Sequence, residues 1–95
     1  MEPFTLGDAI DRIRQMEALF DTLAAMFAAN PDTAYRDPRF QQWLTQLTEY
    51  YDGGQWLQDY LLDEQGLLPR DLKRGILAED TVYNFLSDIK NSRSN

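Results

Sequence analysis

The chain has 95 residues, 43% hydrophobic and 13% aromatic, enough for one packed core and too few for two. Sixteen acids against nine bases leave a net charge of −7, the wrong sign for gripping nucleic-acid phosphates or docking on an anionic membrane. With no cysteine and no histidine, disulfides, thiolate zinc sites, iron–sulfur clusters and Cys–His or Ser–His nucleophiles are excluded.

A metal would have oxygen ligands only, which points to calcium or magnesium if to any. The start, MEPFTLGDAIDRIRQ, has no basic region followed by an apolar run, so no signal peptide is expected. No stretch approaches the roughly 18 apolar residues of a membrane span. A single cytoplasmic domain over residues 1–95 is the resulting expectation.

The first segment, Thr5 to Ala29, reads as a helix. Leu6, Ala9, Ile13, Met16, Phe20, Leu23, Ala24 and Phe27 recur at steps of three and four. Thr5 or Asp8 is placed to cap its first turn. ANPDTAYRDP, Ala29 to Pro38, reads as a loop, because Asn-Pro stops one helix and Asp-Pro starts another. The second helix opens with Asp37 as cap and Pro38 at its first position, and its stripe is Phe40, Trp43, Leu44, Leu47, Tyr50 and Tyr51. Asp52-Gly53-Gly54 ends it with a residue free to adopt positive φ.

The third helix, Gln55 to Gln65, is expected to face inward with Trp56, Leu57, Tyr60 and Leu61 and to stop at Gly66. Leu62 falls on the opposite side, as an exposed anchor. LPRDLKRG then fits a short helical turn opened by Pro69 and closed by Gly75, with Ile76 and Leu77 returning to the core. Glu79 and Asp80 open a last helix to Ile89 that turns Val82, Phe85, Leu86 and Ile89 inward, and a polar tail frays from about residue 90. No strand-like alternation or repeat is present. The fold expected is all-α, a small bundle of four main helices plus a short helical turn.

The most informative stretch is YLLDEQGLLPRDLKRGILAED, residues 60–80, where Pro69, Arg70, Lys73 and Arg74 stand between acidic clusters. Asp59 and Asp63 lie one turn apart, on one face, beside Trp56. The sharp reversal at Gly66 and Pro69 brings Lys73 and Arg74 back towards them. Two readings stay open: a structural clasp, or a docking surface for another molecule. An EF-hand fails in both registers: from Asp59 the third, sixth and twelfth positions are Leu61, Glu64 and Arg70, and from Asp63 the fifth is Leu67. Two acids on one turn also differ from the facing carboxylates of a glycosidase. No Gly-rich phosphate loop or Ser-centred elbow is present. Around the second turn, Trp43, Tyr50, Tyr51, Trp56 and Tyr60 either pack the corner or form an interaction patch.

Tyr50 to Leu86 resembles a family of small bacterial proteins, domain of unknown function 4298 (DUF4298). The resemblance is carried by Tyr50, Tyr51, Trp56, Asp59, Asp63, Glu64, Gly66, Pro69, Asp71, Leu72, Lys73, Arg74, Gly75, Glu79 and Asp80. It extends more weakly into IDRIRQMEALFD of the first helix. Ala78 departs from the serine expected there, which removes a cap and leaves Glu79 or Asp80 to compensate. The resemblance implies a bacterial cytoplasmic protein and brings no activity, cofactor or catalytic residue with it.

The function expected is therefore non-enzymatic: an interaction protein presenting the Trp/Tyr and PRDLKRG surface to a protein partner, with no cofactor, metal, nucleic acid or membrane. Trp56, Asp59, Asp63, Lys73 and Arg74 are the binding or clasp residues, and Tyr50, Tyr51, Tyr60 and Leu62 the interface candidates. The acidic charge favours a basic partner, and an exposed aromatic patch would equally suit a homodimer. An alternative is an acidic inhibitor or immunity-type protein, using Asp8, Asp11, Glu17 and Asp21 to block a basic nucleic-acid-binding site. A magnesium-dependent carboxylate enzyme ranks below both.

Overall fold

Thr5 caps the first helix, its hydroxyl oxygen accepting from the Asp8 N–H at 3.1 Å, which satisfies a backbone donor that the first turn otherwise leaves open. In the computed structural model, which describes residues 5–78 and 80–93, the chain forms five α-helices and one 3₁₀ turn. They are α1 (Leu6–Ala29), α2 (Pro31–Arg36), α3 (Pro38–Asp52), α4 (Gln55–Glu64), the 3₁₀ turn (Gly75–Leu77) and α5 (Thr81–Arg93). There is no strand among the described residues. α1 packs on α2 and α3, α3 packs on α4, and the 3₁₀ turn touches α1, α4 and α5.

The four long helices lie where the apolar spacing places them. α3 starts at Pro38, with the Asp37 side chain accepting from the Arg39 N–H at 2.9 Å. The Gly-Gly corner after it is demanding. A Cβ on Gly53 would lie 2.6 Å from the Glu49 carbonyl oxygen, and Gly54 has φ 96°, a left-handed conformation that suits glycine. α4 closes with a Schellman motif. Leu67 N–H donates to Leu62 O at 3.1 Å and Gly66 N–H to Asp63 O at 3.0 Å, with Gly66 at φ 73°.

Four local expectations are corrected. The segment read as a loop contains α2, because Asn30 serves two helices at once. Its N–H closes α1 on Met26 O, while its side chain accepts from Thr33 N–H at 3.2 Å and Pro31 opens the new helix. The PRDLKRG stretch is not a helical turn: a tight turn at Pro69–Leu72 leads into open chain at Lys73 and Arg74, and the helical geometry comes later, at Gly75–Leu77. This irregular strap, Leu67 to Arg74, joins the end of α4 to the 3₁₀ turn, which packs against α1. The facing of α4 is also rotated: Trp56 packs against the core as expected, but the leucines change places. Leu57 and Leu61 are exposed, whereas Leu62 packs against the core. The inward arc is centred on Asp59, with Trp56 and Leu62 three residues to either side. Finally, α5 continues past Ile89 to Arg93. Glu79, one of the two acids expected to open that helix, and the last two residues of the polar tail lie outside the described residues.

The core joins Ile13 and Leu23 of α1, Phe40, Leu47 and Tyr50 of α3, Val82 and Ile89 of α5, and Leu68, Leu72, Ile76 and Leu77 of the strap and 3₁₀ turn. Four buried side chains thus come from the stretch with the least regular structure. At the other end Phe85 meets Phe20 edge-on at 5.1 Å and Phe27 at 6.1 Å, and Tyr35 donates its hydroxyl to Ile89 O at 2.9 Å. Leu6, placed on the apolar arc of α1 by its spacing, is exposed in the first turn.

Candidate functional site

Asp59 lies in the middle of α4 and is 0% exposed. A buried carboxylate is costly unless a cation and hydrogen bonds replace its water, and both are supplied from other helices. Arg12 of α1 meets it side-on, Nε to Oδ2 at 3.0 Å and Nη2 to Oδ1 at 2.5 Å. Tyr50 of α3 donates its hydroxyl to Oδ2 at 2.7 Å. The bidentate fork fixes the carboxylate in orientation as well as charge, so one side chain joins three helices. Its hydrogen bond to Asp59 holds the Arg12 guanidinium above its ordinary pKa. Burial pushes the Tyr50 hydroxyl well above the usual tyrosine range, and the hydrogen bond to Asp59 pushes it the same way.

Asp63, one turn along, meets different surroundings. It is partly exposed and accepts from Arg74 Nη1 at 2.7 Å. Lys73 reaches neither acid of α4. Its ammonium pairs with Asp21 of α1 at 2.5 Å, in solvent, and that bond raises the lysine pKa. Of the four residues expected to close on one another, Asp63 and Arg74 meet. Asp59 is held by Arg12 and Tyr50 instead, and Lys73 by Asp21.

The strap is also held through its backbone. The Ile76 N–H donates to Glu17 Oε1 at 3.3 Å and its carbonyl accepts from Trp56 Nε1 at 2.7 Å. This fastens the 3₁₀ turn to α1 and α4 together. Trp56 in turn stacks on Tyr60, centroids 5.2 Å apart and planes 15° apart, and Tyr51 packs against Trp56 at 5.1 Å. Tyr50 is buried, and Trp43, Tyr51 and Trp56 pack against the core.

Two partners were missed by the sequence reading, Arg12 and Glu17. They border the apolar arc of α1, one on each edge: Arg12 is three residues after Ala9 and four before Met16, and Glu17 four after Ile13 and three before Phe20. A charge at the spacing of a buried stripe was the available signal. Glu17, counted among the acids of a solvent-facing helix, is 5% exposed.

Among the described residues no buried side-chain polar atom lacks a hydrogen-bond partner, and no group of three acids converges on a metal position. An open cleft of about 240 Å³ lies against Tyr35, Phe40, Gln41, Leu44 and Thr45, and one of about 190 Å³ against Met26, Ala29, Asn30, Thr33 and Ala34. Both are smaller than usual ligand pockets, and neither touches the Asp59 joint. The surface does expose large apolar groups beside the aromatic stack. Leu57 is 51% exposed, Leu61 48%, and Leu67, just past the end of α4, 50%.

Fold and site together define a small all-α protein whose helices are joined through a buried aspartate and whose irregular strap is fastened by α1 and α4. The chain belongs to the family described as domain of unknown function DUF4298, whose model matches residues 13–94. No curated protein and no solved structure matches it. No helix is long and apolar enough to cross a membrane, among the described residues.

Proposed function

We propose that the protein is a non-enzymatic interaction module whose recognition surface is α4 with the strap that follows it. The observation that carries this reading is the pair Leu57 and Leu61, half exposed and one turn apart, beside the Trp56–Tyr60 stack. Removing such apolar surface from water is the main favourable term in most protein association, and tyrosine and tryptophan are the residue types that interfaces favour. The four charged residues expected to form the clasp have partners inside the molecule. Asp59 is enclosed, Asp63 takes Arg74, and Lys73 takes Asp21. The contribution of PRDLKRG to the surface therefore shifts from Lys73 and Arg74 to exposed Arg70, with exposed Leu67 just ahead of it. An acidic inhibitor would retain Asp8 and Asp11 of its four named acids as exposed charges, Asp8 acting also on Arg12 one turn along, since Glu17 and Asp21 are engaged internally.

The test is affinity capture from cells of the source organism with wild type, Leu57→Ser/Leu61→Ser and Asp8→Asn/Asp11→Asn, each first shown to keep the wild-type urea midpoint. Loss of a saturable partner in the leucine variant alone is the expected result. An identical set of captured proteins with wild type and the leucine variant would sink the reading. Loss in the α1 variant alone would favour the inhibitor.

A further inference from the structure

The inward side of α4 is committed: Asp59 to Arg12 and Tyr50, Leu62 to the core, and Trp56 Nε1 to Ile76 O. Its outward side carries Leu57, Leu61 and Glu64 at i, i+4 and i+7, all exposed. Exposed Gln58 and Gln65 flank the row on one side and the Trp56–Tyr60 stack on the other. Leu67 extends the apolar surface past the Schellman turn. Because α1, α3 and the 3₁₀ turn hold the opposite face, this ridge is ordered before any partner arrives, which lowers the entropic cost of docking.

We infer that this face docks a basic amphipathic helix, with Leu57 and Leu61 as apolar anchors and Asp52 and Glu64 as the charges that select the partner. The inference rests on the interaction reading above and specifies the class of partner. Leucines one turn apart form the kind of ridge that fits between the i, i+4 and i+7 anchors of a second helix. The choice of occupant follows from charge. Asp52, exposed at the end of α3, and Glu64, exposed in the last turn of α4, precede and follow the leucines along the chain, and neither makes a salt bridge among the described residues. The chain as a whole carries −7. A second copy docked parallel would set Glu64 against Glu64, and docked antiparallel would still bring together two chains of −7 each. Both arrangements oppose like charges. An anionic lipid surface meets the same repulsion. A helix with lysines flanking its leucine row meets attraction at both ends. Arg70, the next exposed cation along the chain, lies in the turn beyond Leu67.

The test uses the ¹⁵N-labelled full chain titrated with a synthetic amphipathic peptide whose leucine row is flanked by lysines, and with the same peptide carrying glutamates instead. Amide shifts centred on Leu57, Leu61, Glu64 and Leu67 are expected with the lysine peptide. Affinity should fall at least about tenfold in Leu57→Ser/Leu61→Ser, in Asp52→Asn/Glu64→Gln, and with the glutamate peptide. Shifts that map to Asp8 and Asp11 instead, or equal affinity for both peptides, overturn the inference. So does a wild-type dimer in sedimentation that the leucine variant dissociates, since the occupant would then be a second copy. If cellular capture depends on the leucines while these peptide results fail, the interaction reading survives and the basic-helix assignment alone is lost.

Discussion

Asp59 and Asp63 stand one turn apart on the same helix, and the protein treats them as different kinds of residue. Asp59 is sealed from water, and its partner Arg12 keeps only 18% of its side chain exposed. Asp63 and Arg74 are each 31% exposed, and Asp21 and Lys73 are 50% and 68% exposed. Three ion pairs thus form a series from interior to surface. Water screens the outer pairs and substitutes for either partner when the other is lost. At Asp59 no water is available, so the same Coulombic attraction turns into a strict requirement that the partner be present. The sequence spacing that makes the two acids look equivalent says nothing of this difference, which is produced by what α1 and α3 bring to each.

The largest effect should come from opening the interior end of that series. Arg12→Leu leaves a buried carboxylate with one tyrosine donor and no cation, and should cost about 3–5 kcal/mol. Urea unfolding checks it, and the double variant Arg12→Leu/Asp59→Leu should recover most of the loss, because it removes both charges together. A double variant as unstable as the single would show that the joint is needed for more than charge balance. Residue 12 also lies one position before the segment that the family model matches. A chain beginning at residue 13 should lose at least as much as Arg12→Leu, which gives an independent check on the same contact.

Tyr50→Phe removes one donor to the carboxylate and leaves the Arg12 fork intact, for an expected loss of about 1.5–3 kcal/mol. Its pH dependence sharpens the comparison. Burial and the bond to Asp59 raise the Tyr50 pKa in the folded chain. The folded state therefore keeps this proton at a pH where the unfolded chain has released it. The stability it contributes is complete below the ordinary tyrosine value near 10 and is lost as pH rises beyond that. Wild type should accordingly exceed Tyr50→Phe by a constant amount below about pH 9, with the margin shrinking between about pH 10 and 11. The raised Lys73 pKa acts in the same direction in both proteins, so the difference between them isolates the tyrosine. A margin that stays constant through pH 11 would mean that Tyr50 is reached by solvent in the native state.

Much of this fold is legible from periodicity and turn chemistry. The stripes of α1, α3 and α5, the Asp37-Pro38 start and the glycines at 53, 54 and 66 each encode a local conformation. The site was less legible, because two of its determinants act over long sequence separation. Arg12 meets Asp59 across 47 positions and Glu17 meets Ile76 across 59. Their place at the two edges of the apolar arc of α1 signals charges close to the core, but nothing local tells which partner each meets. The facing of α4 was misread for a related reason. Ranking side chains by hydrophobicity puts Leu57 and Leu61 inward, whereas once Arg12 and Tyr50 supply three donors the carboxylate of Asp59 is the better interior group. α2 was missed because two Pro-based breaks seven residues apart resemble one loop, when each is a helix start.

The smallest effects belong to the strap, and they separate its two cations. Arg74→Ala removes a half-buried pair and should cost up to about 1 kcal/mol. Lys73→Ala removes an exposed one and should leave the urea midpoint unchanged within error. Combining them tests whether the strap is fastened by charge at all. Leu68, Leu72, Ile76 and Leu77 are buried, and the Ile76 peptide is bonded on both sides by Glu17 and Trp56. With those contacts in place the double variant should lose no more than Arg74→Ala alone, in low salt as in high. A loss of several kcal/mol, suppressed by salt in wild type, would instead make Lys73 and Arg74 the closure of the strap, and would move the boundary between essential and expendable ion pairs outward from Asp59.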